Sequence, residues 1–160
     1  MASLAEYPSH LLAFAPRRFG LRARLARAFG LPLEVDRITP WRVEQVLIRL
    51  RARHRRSVFI VDRFCGDGDR LIQAAKRARE LGFVAIAAHG FDRRRSDIRA
   101  ARKAGAEVRD PAIGLTFDLW PSGSPLPIEA GETDILLSQA DEPPEETARI
   151  LDPAGILIRC

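Results

Sequence analysis

The chain has 160 residues, 46% of them apolar and 29% charged, which suits one domain of ordinary size and leaves little room for a second. Cys65 and Cys160 lie far apart with no His or Cys at metal-ligand spacing, which argues against a disulfide framework or a zinc site and for a reducing, cytoplasmic setting. No apolar run reaches the ~18 residues of a bilayer span, and the stretch from Leu11 to Ala15 is too short for a signal-peptide core, so membrane insertion and secretion are disfavoured. The net charge of +5 hides a gradient. Residues 1–60 carry 12 basic and 4 acidic side chains, residues 61–110 carry 12 and 8, and residues 111–160 carry 2 and 9. Only Lys76 and Lys103 are lysines and the other 24 basic residues are arginines, a bias that phosphate or carboxylate recognition and a GC-rich genome would each produce.

In chain order, Phe19, Leu21, Leu25, Ala28 and Phe29 alternate with Arg17, Arg18, Arg22, Arg24 and Arg27 in a basic amphipathic helical segment that ends at Gly30 and Pro32. Its apolar stripe suits packing on the domain, and its basic face suits nucleic acid or an acidic partner. Thr39 and Pro40 start a second helix with Val43, Val46, Leu47 and Leu50 on one face and arginines at its carboxyl end, where they complement the helix dipole. The run Val58 to Val61 has the length and composition of a strand buried on both faces. A glycine-bearing turn at Cys65 to Asp69 leads into a helix marked by Leu71, Ile72, Ala75, Ala78 and Leu81 and closed by Gly82. A second strand is expected over Phe83 to Ala88, and a helix capped by Ser96 passes Ile98, Ala101 and Ala104. A third strand follows at Leu115 to Leu119. The Pro, Ser and Gly residues of 121–127 make a loop where a crossover helix would be expected, and a fourth strand at Ile135 to Leu137, a short helix over 144–151 and a fifth strand at Gly155 to Ile158 complete the chain.

This alternation predicts an α/β fold: three-layer, Rossmann-like, with a mainly parallel five-stranded sheet. Residues 1–56 are expected to pack as a basic helical segment on a core formed by residues 57–160. Ligands of such sheets bind at the carboxyl ends of the strands, which makes the loop Asp62-Arg63-Phe64-Cys65-Gly66-Asp67-Gly68-Asp69 the first candidate. A dinucleotide site would want a third glycine where Leu71 stands and would set a pyrophosphate beside Asp67 and Asp69, so a cationic or zwitterionic ligand is better suited.

Residues 62–68, DRFCGDG, resemble the first motif of the class I S-adenosylmethionine-dependent methyltransferases, commonly D-x-G-C-G-x-G, with Phe64 in place of its first glycine. The F-C-G-x-G form is familiar among family members that modify nucleic-acid bases. Asp92 stands where the family's acidic residue takes the ribose hydroxyls, and Asp118 where the adenine is contacted. TDILLS at 133–138 is similar to the family's fourth strand, and the stretch from Ala148 to Ile158 to its fifth. The resemblance covers roughly residues 57–160. It implies S-adenosylmethionine as cofactor, held by Asp62, Phe64, Cys65, Gly66, Asp67, Gly68, Asp92, Asp118 and Ser138. Asp62 would either anchor the turn or meet the ligand's amino group.

The family's usual hairpin after strand five is absent from this sequence, so strand five is expected to expose an edge that the N-terminal segment, a partner protein or a second copy would cover. Asp141, Pro143 and Pro144 resemble the N/D-P-P-Y/F motif of base-amino methyltransferases, but Glu142 intrudes and no aromatic residue follows. Methyl transfer from a sulfonium depends chiefly on alignment, so the lack of a visible catalytic base does not argue against an enzyme. The sequence names no acceptor. The expectation is a methyltransferase, with a catalytically silent, partner-binding module as the alternative and nucleic acid as a further possible partner. His89 lies near the end of strand two, where it could face the site, although a lone histidine is more often structural; His10 and His54 have no visible partner, and Trp41 and Trp120 are expected to pack.

Overall fold

The computed structural model describes residues 38–121, 123–138 and 144–159. The N-terminal basic segment, His10, Asp141, Glu142, Pro143 and Cys160 lie outside the described residues. The elements are α1 (Ile38–Ala52), β1 (Ser57–Arg63), α2 (Asp69–Glu80), β2 (Ala85–Asp92), α3 (Arg95–Ala106), β3 (Ile113–Leu119), β4 (Thr133–Ser138), α4 (Pro144–Ile150) and β5 (Leu151–Arg159). All five strands run parallel in the order β3-β2-β1-β4-β5. The strand order therefore reverses between β1 and β4, the switch point at which open α/β sheets bind ligands.

Strand alternation divides the interior in two. Val58, Ile60, Ile86, Ala88, Phe117, Ile135, Leu137 and Ile158 face the helix side, where they meet Val43 and Leu47 of α1, Leu71 and Ala75 of α2, and Ile98 and Ala101 of α3. On the other face Val61, Phe91 and Leu136 pack against Trp120, Leu126 and Ile128 of the β3–β4 crossover and Ile150 of α4. That crossover is irregular, as its proline and serine content predicts. It is held by Arg149, which donates to the carbonyls of Ile128 (2.7 Å) and Leu126 (2.8 Å) while pairing with Glu146, whose carboxylate accepts the Leu126 N–H at 2.7 Å. Without a crossover helix, Ala85, Ala87, Gly114 and Thr116 are left exposed on the second face of β2 and β3.

Several boundaries differ from expectation. β2 begins two residues later and continues to Asp92, because His89, Gly90 and Phe91 are laddered to β1 on one side and β3 on the other. Phe83, expected to open that strand, instead plugs the helix-side core before it and is fully buried. Ser96 does not cap α3: the N-cap is Arg94, and the Ser96 hydroxyl turns to the neighbouring Asp97 carboxylate at 3.1 Å. β5 begins at Leu151 and passes a register shift opposite Thr133 and Ile135, where Pro153 is tolerated because β5 lies at the sheet margin. Trp120 is buried as expected, whereas Trp41 is 63% exposed.

Candidate functional site at the carboxyl edge

β1 delivers Asp62 to the switch point on the helix side of the sheet, fully buried. A buried carboxylate needs a charged partner. Arg70, from the first turn of α2, supplies one in a two-pronged pair, Nε to Oδ2 at 3.0 Å and Nη2 to Oδ1 at 2.5 Å. Of the two roles expected for Asp62, this geometry is that of an anchor between β1 and α2.

The chain then turns through Phe64 at φ 67°, Gly66 at 57° and Gly68 at 84°. A left-handed conformation costs a side-chain-bearing residue about 1–2 kcal/mol, so Phe64 must be held by its contacts. Its ring meets Trp120 edge-on at 5.9 Å, and the guanidinium carbons of Arg93 and Arg63 lie 5.1 and 5.6 Å from its centroid. Arg63 also stacks over Trp120 at 4.3 Å. The Cys65 N–H extends the ladder to Phe91 O at 2.9 Å, and the Gly68 N–H closes the turn on Cys65 O at 3.0 Å. Burial first, then the nearby Asp62 and Asp92 charges, push the Cys65 thiol up to about 12, so it packs as a neutral group.

The two glycines do different work. A Cβ at Gly66 would meet nothing within 4 Å, so the backbone there is open to close approach. A Cβ at Gly68 would stand 2.8 Å from the Phe117 ring and 3.0 Å from Ala101, so this glycine is required by the core.

Asp92, at the end of β2 and 5% exposed, accepts the Gly66 N–H on Oδ2 at 3.0 Å and the Arg94 N–H on Oδ1 at 2.9 Å. It thereby ties the glycine turn to the exit of the neighbouring strand. The Arg94 guanidinium also pairs with Oδ1, its Nε at 3.8 Å, beyond hydrogen-bond reach; with about four acceptor positions on a carboxylate, each oxygen makes one of its two possible hydrogen bonds. Asp67 is exposed at the tip of the turn and caps the Asp69 N–H at 3.3 Å. Ser138 ends β4, fully buried and on the second face.

Asp118 is positioned differently from the others. It lies in β3 with its side chain on the second face, where Oδ2 is 2.9 Å from His89 Nε2 and Oδ1 accepts from Arg102 Nη2 at 2.8 Å. His89 stacks on Phe91 with centroids 4.0 Å apart. The structure thus brings Asp62, Phe64, Cys65, Gly66, Asp67, Gly68 and Asp92 together around one turn, while Asp118 belongs to a His89–Asp118–Arg102 chain beside it. Arg70 and Phe117 are the residues that sequence reasoning missed. Arg70 had a legible signal, a cation in the first turn of the helix that follows a buried acid; Phe117 had none beyond being apolar.

A shallow groove of about 620 Å³ lies at the opposite, amino-terminal end of the strands, lined in part by Arg55, Phe59, Ala85, Ala87, Gly114 and Asp134. Its one charged pair, Arg55 with Asp134 at 2.7 Å, is structural, since Asp134 also accepts the Phe59 N–H at 2.9 Å. Its location away from the switch point leaves the carboxyl edge as the candidate site. Among the described residues no helix is long and apolar enough to cross a membrane, and no group of three or more His, Cys, Asp or Glu is placed to hold a metal ion.

The sequence matches no family model and no curated protein. Solved structures of similar shape include methyltransferases. A candidate S-adenosyl-L-methionine-dependent methyltransferase from Methanococcus maripaludis superposes with a TM-score of 0.56 at 17% identity, over 98% of this chain and 65% of that one. The CMeT domain of the citrinin polyketide synthase gives 0.53 at 22% identity, over 86% and 41%. A candidate class I enzyme from Listeria monocytogenes gives 0.51 at 21% identity, over 75% and 37%. The fold is that of the class I S-adenosylmethionine-dependent methyltransferases. The chain spans less than two thirds of the length of each of these proteins.

Proposed function

We propose that this chain binds S-adenosylmethionine at the 64–68 turn and transfers its methyl group to an acceptor that neither the sequence nor the fold names. The observation that carries the reading is the pairing of Gly66 with Asp92: an open glycine backbone hydrogen-bonded to a carboxylate at the end of the adjacent strand, at the switch point of the sheet. The residues present fit the cofactor. Asp92 would receive the ribose hydroxyls on its remaining acceptor positions, and the 64–68 backbone would face the methionine moiety, with Ser138 and the Asp118 end of β3 flanking them. When bound, the cofactor supplies an activated methyl on a sulfonium, and the protein's task is alignment. Asp62 and Arg70 fix the height of α2 behind the turn, and Phe64, braced by Trp120 and two guanidiniums, forms its wall.

The second reading, a catalytically silent module that binds a partner protein or nucleic acid, is favoured by the engagement of Asp62 by Arg70 and by Phe64 standing where the family motif has glycine. A partner or second copy at the β5 margin belongs to the same reading, and sedimentation at high concentration tests it. Binding to nucleic acid would be steeply weakened by added salt. Calorimetry with S-adenosylmethionine and S-adenosylhomocysteine separates the two readings. Heat that saturates, and a marked loss of affinity in Asp92→Ala, supports the enzyme; no heat near a millimolar refutes it.

A further inference from the structure

We propose that Phe117 is the positioning residue of the glycine turn. Its ring, 3% exposed, fills a socket made by three missing side chains on three different elements. An added Cβ would stand 2.8 Å from the ring at Gly68, the N-cap of α2; 2.6 Å at Gly90 in β2; and 2.8 Å at Gly105 near the end of α3. Such distances are well inside the ~3.5–4.0 Å of ordinary carbon contact, so the ring sits as close to these backbones as glycine alone permits. The Gly90 position would also meet Cys65 Sγ at 2.9 Å, which makes the floor beneath the ring's neighbour part of the same packing unit. The turn is thus held twice: from the β2 exit by Asp92 on the Gly66 N–H, and from below by Phe117 against Gly68 and, through Gly90, against Cys65.

The consequence for the site is specific. Asp92 fixes where the turn begins its close approach, while Phe117 fixes how far the first turn of α2 can sink toward the sheet. A smaller side chain would let Gly68 and α2 settle inward, moving the 65–68 backbone relative to Asp92. Phe117 touches no ligand in this account. It acts through the turn, and the affinity part of the test rests on the cofactor reading above.

The test compares Phe117→Leu with Leu50→Ala, which removes buried volume from α1 in the same core but away from the turn. Amide hydrogen exchange of the 64–72 segment, referenced to β4 and β5, is read alongside S-adenosylhomocysteine affinity. We expect Phe117→Leu to raise exchange in 64–72 by about tenfold over Leu50→Ala at matched global stability, and to weaken affinity by a similar factor. Adding Gly105→Ala to Phe117→Leu, which returns a methyl to the emptied socket, should restore both. Equal exchange in the two variants, or a rise spread uniformly over the sheet, overturns the proposal. Should Phe117→Leu not fold, Gly105→Ala alone pushes the ring toward Gly68 and must perturb the same segment; unchanged exchange there also overturns it. If the unaltered protein binds neither S-adenosylmethionine nor S-adenosylhomocysteine, the cofactor reading fails, and the exchange comparison still decides the role of Phe117.

Discussion

Replacing Gly68 with alanine adds one methyl group at a position where the backbone and the core both resist it. The residue has φ +84°, and the new carbon would lie 2.8 Å from Phe117 Cε1 and 3.0 Å from both Phe117 Cζ and the Ala101 methyl. The left-handed conformation costs an L-residue about 1–2 kcal/mol, and overpacking a filled core costs about 1–3, so the two together cost about 2–5 kcal/mol. Gly66→Ala carries the backbone cost alone, because φ is +57° and nothing lies within 4 Å. Reduced freedom of the unfolded chain offsets roughly 0.4–1 kcal/mol in either variant, leaving about 1 kcal/mol for Gly66→Ala and about 1.5–4 kcal/mol for Gly68→Ala. For a chain of this length 1 kcal/mol moves Tm by about 2–4 °C, so Gly68→Ala should lower Tm by roughly 3–16 °C and Gly66→Ala by only about 2–4 °C. Thermal and urea unfolding followed by circular dichroism measure both. Equal losses, or a larger loss for Gly66→Ala, would refute the division of labour between the two glycines.

Three further outcomes follow from the geometry. Arg70→Ala leaves the Asp62 carboxylate buried without its guanidinium and should cost about 3–5 kcal/mol by urea unfolding, whereas Asp62→Leu with Arg70→Met should recover most of it; a cost under 1 kcal/mol would mean that the pair is not the anchor described. The Cys65 thiol, pushed up to about 12, should resist alkylation at pH 8 in the folded protein and react only on unfolding, as read by peptide mass spectrometry; rapid labelling of the native state contradicts its burial. Arg149, with help from the Leu126 N–H and against the opposing effect of burial, holds the Glu146 carboxyl below its ordinary value of 4.5. A lowered carboxylate contributes stability that is present above the unfolded pKa and lost as pH falls through the folded one, so the acid-side decline below about pH 4.5 should be shallower in Glu146→Gln than in the unaltered protein. Parallel stability–pH curves would contradict that linkage.

The parts of this molecule that were legible in the sequence are those set by local pattern. Val58 to Val61 has the length and composition of a strand buried on both faces, and the closely spaced Gly66 and Gly68 directly after it mark a turn. Asp62 was legible as the acid following the first apolar run, whereas Asp92 came from the resemblance to a known family, since the expected second strand stopped at Ala88. Pairings set by register between distant segments were not legible. The β2–β3 register sets His89 opposite Thr116, so its ring reaches diagonally to Asp118, two residues further along the same face, and no local signal records that alignment. Gly68 reads in sequence as a glycine for a ligand, and only the fold reveals that Phe117, 49 positions later, is what excludes its side chain. The β2 boundary was misplaced for a related reason: Phe83 has strand-like character, but its burial comes from capping the core below the sheet and not from the ladder.

The central claim, that the 64–68 turn with Asp92 is the binding site, is tested most directly by following backbone amide resonances of the isotopically labelled protein as S-adenosylhomocysteine is added. The account predicts saturable shifts at Gly66, Asp67, Gly68 and the Asp92–Arg94 amides, lost in Asp92→Ala. Saturable shifts confined instead to the groove around Ala85, Ala87 and Gly114, or no shifts at millimolar ligand, would contradict it.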